Sequence, residues 1–238
     1  HEGVGLPGLD RRPQRAGRHL PADELHERAG VEDAGPADGV HHAPHRPEDA
    51  VAVELVDLVD AEAAPHLAHP LDGIDVARAA GEATIAGCTG KTSEDKTQAL
   101  LDLPDHAMID MGDFAGGMLK YLRAHPLPDV VIGGGFAKLC KLAQGHLDLH
   151  SGRSQVDLPW LAAVAGELGA DEAITSAIER ANTAAAVLSI ARDAGLPLAD
   201  EIARRARDVA QETVGDTGSV VRILVFDRDG IVAGRSDG

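Results

Sequence analysis

Residues 130–145 read VVIGGGFAKLCKLAQG, and this stretch decides the fold. Its β-branched start, Val130 to Ile132, predicts a buried strand. Three glycines follow and lead into a segment with the apolar spacing of a helix, which carries Lys138 and Lys141. Glycines at the end of a strand let a ligand approach the backbone, and the next helix points its unpaired N–H groups at the same place. The stretch therefore predicts a site for a small anionic molecule in an α/β protein.

The alternation of strands and helices also extends towards the N-terminus. Apolar runs predict strands over 83–87, 106–110 and 129–132, with helices over 92–101, 114–123 and 136–147. We expect Thr92 or Ser93 to cap the first of these helices. This order predicts an α/β fold with a Rossmann-like parallel sheet and crossover helices. The turns after the strands would share one edge of that sheet and form the ligand site; they are Thr89-Gly90, Gly112-Asp113 and Gly133-Gly134-Gly135.

Beyond His150 the pattern becomes helical and then ends in a hairpin. Helices are predicted near 157–168, 171–180, 183–194 and 199–213, and a β-hairpin over 220–226 and 231–233. The hairpin needs a sheet to join, and we expect it to be left unpaired if a further domain is missing. The predicted organisation is a Rossmann-like α/β domain over 73–155, then helices and a closing hairpin over 156–238.

Residues 1–72 have an unusual composition. They use only ten amino acids, all of which can be encoded by codons that begin with C or G, and the first residue outside this set is Ile74. Ordinary proteins use the full set over so long a window. Our hypothesis is that 1–72 is an out-of-frame or disordered segment without a native fold. Eight of the twelve histidines lie here, including His41, His42 and His45, and we assign them no metal site.

Composition excludes several classes of function. The net charge of −17 argues against binding to nucleic acid or to a membrane surface, both of which need a positive field. Cys88 and Cys140 are isolated, so neither a disulfide framework nor a protein-bound metal is predicted. The sequence shows no signal peptide and no apolar run long enough to cross a bilayer, so a cytoplasmic location is expected.

Two nucleotide-binding motifs fail on their spacing. Gly90-Lys91-Thr92 resembles the end of a phosphate loop, but the motif's first glycine would fall at Ile85. The glycine run at 133–135 likewise lacks the last glycine of the dinucleotide fingerprint, because Lys138 stands there. A nucleotide-binding oxidoreductase is therefore a weak alternative.

Several blocks together resemble one family, the cobalt-precorrin-5B C1-methyltransferases of anaerobic cobalamin synthesis. The resemblance covers about residues 73–238 and is densest from Thr89 to Ser151. It rests on a Thr-Gly-x-Thr-Ser-Glu turn at 89–94, a Phe-x-Gly helix from Phe114, the glycine run, a Lys-x-x-Lys-x-Ala-x-Gly helix at 138–145, and the pair His150-Ser151.

The resemblance implies a methyl transfer from S-adenosylmethionine, as co-substrate, to C1 of a corrin precursor whose cobalt belongs to the substrate. It implies Asp113 and His150 as catalytic residues; Asp113 capping the next helix is the alternative, and a structural loop histidine is the alternative for His150. Phe114, Tyr121 and Trp160 are expected in the core rather than as stacking platforms. The implied contacts to donor and substrate are Thr89, Gly90, Ser93, Gly133, Gly134, Gly135, Lys138, Lys141, Ser151 and Arg153, with a solvated helix face as the alternative for each lysine.

A second hypothesis is a non-catalytic fragment that lacks the N-terminal domain of the family. It differs from the first in predicting no methyl transfer by the purified chain. An assembly of identical chains is compatible with the sequence, and a small tetrapyrrole is the expected partner.

Overall fold

A five-stranded sheet organises the chain in a computed structural model that describes residues 70–236. The strand order is β2-β1-β3-β4-β5; the first four strands are parallel, and β5 is antiparallel to β4. The predicted α/β fold with a parallel sheet and crossover helices is confirmed. The strands are β1 (Thr84–Cys88), β2 (Met108–Asp110), β3 (Asp129–Gly135), β4 (Val220–Phe226) and β5 (Val232–Ser236).

The helices follow the predicted order with small changes at their ends. The helix predicted over 136–147 ends at Ala143, because the chain turns at Gly145, whose φ is +88°. A 3₁₀ turn, Asp105–Ala107, replaces the start of the strand predicted from 106. The helices are α1 (Pro70–Ala79), α2 (Lys91–Leu101), α3 (Ala115–Ala124), α4 (Phe136–Ala143), α5 (Leu158–Glu167), α6 (Glu172–Glu179), α7 (Ala184–Asp193) and α8 (Leu198–Val214).

Side chains of the central strands alternate between two cores, as the two-residue period of a strand requires. Ile85 and Ile132 point into the larger core, which α3, α4 and α8 complete. Ala86, Cys88 and Val131 point to the other face, where α2 covers β1, β2 and β3. Helices on both faces explain why these strands are almost continuously apolar.

The C-terminal hairpin belongs to the same sheet. Strand β4 pairs with β3 over its full length, from Asp129 opposite Val220 to Gly135 opposite Phe226. Arg222 Nε donates to Asp129 Oδ1 at 2.8 Å, and Thr84 Oγ1 donates to Asp129 Oδ2 at 3.0 Å. The expectation of an unpaired hairpin is therefore wrong, because the backbone N–H and C=O groups along the edge of β3 pair with β4. One sheet thus joins the predicted segments 73–155 and 156–238.

The glycine run lies inside β3 rather than in a turn after it. A Cβ at Gly133 would overlap Thr97 Oγ1 on α2, and a Cβ at Gly134 would lie 3.0 Å from Thr89 Oγ1. Both glycines therefore allow neighbouring side chains to pack closely on the sheet. The predicted cap of α2 is also wrong: the helix starts after Gly90, and Ser93 Oγ donates to the Gly90 carbonyl at 2.7 Å.

The segment 1–69 lies outside the described residues. The prediction that its histidines form no metal site therefore also concerns residues outside the described part. Residues 70–72, at the end of the predicted out-of-frame segment, form the first turn of α1. Among residues 70–236, no helix is long and apolar enough to cross a membrane. The same residues contain no cluster of three or more histidine, cysteine, aspartate or glutamate side chains arranged to hold a metal ion.

Helix α8 carries a cluster of charges on the side away from the core. Glu201 Oε1 lies 2.7 Å from both Arg204 Nη2 and Arg205 Nε. The hydrogen bond from Arg204 is the main cause that lowers the pKa of Glu201 from 4.5 to about 2. Burial alone would raise this pKa, and the hydrogen bond from Arg205 lowers it further. The carboxylate therefore stabilises the fold above the unfolded-state pKa and loses that effect as the pH falls from about 4.5 to about 2.

We expect Glu201→Gln to lower the free energy of unfolding by about 1 kcal/mol at pH 7. The difference from the unaltered chain should shrink as the pH falls below 4.5 and vanish below about pH 2, which urea unfolding at several pH values measures. Glu179→Gln is the matched control, because Glu179 is exposed and has no ion pair within residues 70–236. A Glu201→Gln difference that stays constant between pH 7 and pH 2 would contradict the assignment.

Candidate functional site

The strand order creates a crevice between β1 and β3. The two strands are neighbours, yet α2 leaves β1 towards one face of the sheet and α4 leaves β3 towards the other. Such a switch point leaves an opening at the carboxyl ends of the strands, where open α/β sheets bind ligands. A cavity of about 380 Å³ lies there. The fold therefore has a cavity at the edge where the sequence predicts the ligand site.

Three helices begin at this cavity. The first residues of α2, α4 and α7 line it, next to the capping residues Gly90, Gly135 and Thr183. Thr183 Oγ1 accepts a hydrogen bond from Ala186 N at 3.2 Å and so closes the start of α7. The N-terminus of each helix carries about half a positive charge on its unpaired N–H groups. Their convergence favours an anionic group in the cavity.

Cationic side chains surround the same cavity although the chain is acidic. Lys91, Lys138 and Arg228 line it. Lys91 pairs with Asp95 at 2.8 Å, whereas Arg228 has no ion pair within residues 70–236. Asp227 is the acidic exception, and its carboxylate is held by Arg192 at 3.0 Å. Burial would raise the pKa of Asp227, but hydrogen bonds from the Ile231 N–H and Arg192 lower it. Because Lys91 and Lys138 are paired with Asp95 and Asp113, Arg228 is the cation of this lining that has no ion pair within residues 70–236.

Lys138 connects the cavity to the loop between β2 and α3. Its ammonium donates to the Thr89 carbonyl and lies 3.2 Å from Asp113 Oδ1. That oxygen is buried and has no aligned hydrogen-bond donor within the described residues, so the contact is an ion pair rather than a hydrogen bond. The alternative role of Asp113 is not seen, because α3 starts after Phe114 without a side-chain cap. Asp113 is therefore connected to the cavity by its ion pair with Lys138, which lines the cavity.

Thr89 places a hydroxyl group at the cavity. The residue is only 5% exposed, lines the cavity, and packs against Gly134. A hydroxyl at the wall of a cavity can donate one hydrogen bond to a ligand there. Thr89 is therefore suited to donate to an anion in the cavity.

The other predicted residues near the cavity have packing roles. Ser93 lines the cavity, but its hydroxyl donates a hydrogen bond to the Gly90 carbonyl. Gly133 and Gly134 lie within β3 and do not line the cavity. Of the three glycines only Gly135 lines the cavity. Burial raises the pKa of the Cys88 thiol to about 11, so the thiol stays protonated at neutral pH and offers no nucleophile.

A second predicted group lies on the loop 144–157. His150 Nδ1 accepts from Gly152 N at 3.1 Å, and Arg153 Nη1 lies 2.6 Å from Asp148 Oδ2. Ser151 is exposed, and its carbonyl accepts from Gln155. None of these residues lines the cavity. Hydrogen bonds nevertheless hold the loop against the β2–α3 loop, from Leu149 N to the Asp113 carbonyl at 3.0 Å and from Gly116 N to the Leu147 carbonyl at 2.8 Å.

Lys141 supports this loop from inside. Its side chain is almost completely buried, and its ammonium donates to the Leu149 carbonyl at 2.8 Å. The structure therefore places Lys141 behind the loop and away from the cavity, which fits neither a ligand contact nor a solvated helix face.

Sequence reasoning missed two residues that line the cavity, Thr183 and Arg228, and the exposure of Phe114. Thr183 and Arg228 come from the start of α7 and from the β4–β5 turn, far along the chain from the glycine run. In the sequence around Thr183 the only signal is a threonine at the position that caps a helix. Around Arg228 it is the turn sequence Asp-Arg-Asp-Gly. Phe114, expected in the core, is 51% exposed at the same edge of the sheet.

Known proteins resemble about two thirds of the chain. A family model described as CbiD, C-terminal domain, matches residues 148–237. The cobalt-precorrin-5B C(1)-methyltransferase of Paramagnetospirillum magneticum is 56% identical over 162 residues, which cover 68% of this chain and 45% of the relative. The matched part of the chain is similar to the C-terminal domain of the CbiD family. Proteins of the same name from Brucella anthropi and Halorhodospira halophila are 55% and 54% identical over 163 and 164 residues, 68% and 69% of this chain and 44% of each relative.

The CbiD match confirms the family resemblance drawn from the sequence. The chain spans less than half the length of these curated relatives, since 45% or less of each is covered. No solved structure matches the chain.

Proposed function

We propose that this chain is part of an enzyme that transfers a methyl group from S-adenosylmethionine to C1 of cobalt-precorrin-5B. The names of its CbiD relatives support the reaction. The convergence of three helix N-termini, Lys138 and the Thr89 hydroxyl on one cavity carries the proposal within the structure. These groups match the carboxylate of the methionine part of the donor.

The donor's charges suit the arrangement around Lys138. Its carboxylate would accept from Thr89 and from the N–H groups that follow Gly135. Its amino group would approach Asp113, whose carboxylate lies beside Lys138 on the β2–α3 loop. His150, Ser151 and Arg153, on the loop held against Asp113, are the proposed contacts to the corrinoid, with His150 available to move a proton. The corrinoid brings its own cobalt.

The reaction is an in-line displacement. C1 of the corrin precursor attacks the methyl carbon, the new carbon–carbon bond forms as the carbon–sulfur bond breaks, and the electron pair of that bond stays on sulfur in S-adenosylhomocysteine. The protein contributes mainly by aligning donor and acceptor, which is worth several kcal/mol of barrier.

The test is to incubate the purified chain with S-adenosylmethionine labelled in its methyl group and with cobalt-precorrin-5B. We expect label in the corrinoid. We also expect Thr89→Val to weaken donor binding about tenfold in calorimetric titration, because valine keeps the shape and removes the hydroxyl.

Thr175→Val is the matched control, because Thr175 lies on α6 and bonds only to backbone carbonyls of that helix. Donor binding by the chain without label transfer would favour the non-catalytic fragment. Absence of donor binding altogether would contradict the proposed use of the cavity.

A further inference from the structure

Phe114 is exposed at the ligand edge of the sheet. The chain has only three phenylalanines, one tryptophan and one tyrosine. Phe114 nevertheless keeps 51% of its surface exposed, in the loop that follows β2. Its neighbour Asp113 pairs with Lys138 at the cavity. A half-exposed aromatic ring beside a binding site is placed to contact a ligand.

Gly117 creates the seat of this ring. A Cβ at Gly117 would overlap the ring atoms Cε1, Cδ1 and Cζ of Phe114. The ring therefore lies on the backbone of α3, one turn along the helix, in a position that only glycine permits. This contact fixes the ring's orientation before any ligand arrives, which reduces the entropy lost on binding.

Asp113, the residue before this ring, contacts two charged regions. Its carboxylate lies 3.2 Å from Lys138 at the cavity. Its carbonyl accepts from Leu149 N, on the loop that carries His150 and Arg153. The Arg153 side chain is 76% exposed, so it can turn to a carboxylate of a ligand. An exposed apolar ring next to residues that contact these cationic regions matches a flat macrocycle with carboxylates on its rim.

We propose that Phe114, seated on Gly117, is the surface on which the corrinoid ring stacks. This assignment rests on the proposed function and specifies where the acceptor binds relative to the donor cavity. Phe114 acts as a positioning residue: it presents the face of the macrocycle to the methyl donor and takes no part in bond making.

The experiment is a titration of the full chain with cobyrinic acid, a cobalt corrinoid with a carboxylate rim, followed by the visible absorbance of the corrin. Phe114→Ala should weaken binding about tenfold, the scale of one aromatic stacking contact. Phe114→Trp should bind as the unaltered chain does. Leu100→Ala is the matched control, since Leu100 is 56% exposed at the other end of α2.

Gly117→Ala moves the ring without removing it. Alanine favours a helix over glycine, so the thermal unfolding temperature should stay equal or rise, while corrinoid binding falls about tenfold. In the Phe114→Ala background the same change should have no further effect on binding, because its target ring is absent.

The outcomes separate this inference from the proposed function. Unchanged corrinoid binding by Phe114→Ala, or an equal loss in Leu100→Ala, would overturn the stacking surface and leave the proposed reaction intact. An unaltered chain that binds S-adenosylmethionine but no cobyrinic acid would contradict the corrinoid substrate itself.

Discussion

Replacing Lys138 with methionine is expected to weaken the binding of S-adenosylmethionine by about 100-fold. The change removes the ammonium that bridges the Thr89 carbonyl and Asp113 at the cavity. It also leaves the buried Asp113 oxygen without its ion-pair partner. A charge-assisted contact contributes about 1.5–3 kcal/mol, whose upper part corresponds to about 100-fold in affinity. Calorimetric titration of the purified variant measures the change.

The control is Lys120→Met, which removes the same charge from the exposed side of α3 and should bind the donor normally. Comparing the double variant Asp113→Asn/Lys138→Met with Asp113→Asn alone separates two causes, because Asp113 is itself a proposed contact to the donor. A further loss in the double variant means that Lys138 contacts the donor. Equal binding by Asp113→Asn and the double variant would show that Lys138 only neutralises Asp113, and would contradict its assignment as a ligand contact.

Replacing Gly234 with alanine is expected to lower the free energy of unfolding by about 3 kcal/mol. Gly234 lies in β5 directly beneath the start of α8. A Cβ there would overlap the Ala199 carbonyl group and lie 2.6 Å from Asp200 N. These are backbone atoms that cannot rotate away, so β5 and α8 must separate, and overpacking of this kind costs about 1–3 kcal/mol or more. Urea unfolding followed by circular dichroism measures the loss.

Gly135→Ala is the matched control for stability. A Cβ at Gly135 meets no atom within 4 Å, and its backbone conformation, φ −67° and ψ 147°, suits any residue. The change should alter the free energy of unfolding by less than about 0.5 kcal/mol. If Gly234→Ala were equally mild, the close contact between β5 and α8 would not limit stability.

The central strands could be predicted from the sequence because their cause is local. Val130, Val131 and Ile132 favour a strand wherever they lie, and both faces of the sheet bury them. The continuation of β3 through Gly133–Gly135 could not be predicted in this way. Glycine has little preference for strands, and here the pairing with Leu224, Val225 and Phe226 extends β3 from a distance.

The candidate site follows the same division. Thr89, Gly90, Gly135 and Lys138 could be placed at the edge of the sheet, because the ends of parallel strands meet there. Arg228 and Thr183 could not, since only the tertiary fold brings the β4–β5 turn and the start of α7 to the cavity. Phe114 was expected in the core because aromatic residues usually lie there. Its ring instead packs on the backbone at Gly117, which has no side chain, and stays half-exposed.

The pairing of β3 with β4 has a consequence for how the chain folds. All of α4 to α8 lies between these neighbouring strands, so the contact closes a loop that spans residues 136–219. Contacts between distant residues form late, because the entropy of closing the loop must be overcome first. During synthesis, β3 leaves the ribosome before β4, so its backbone edge stays unpaired until the hairpin follows. Unpaired strand edges of this kind expose a folding chain to aggregation.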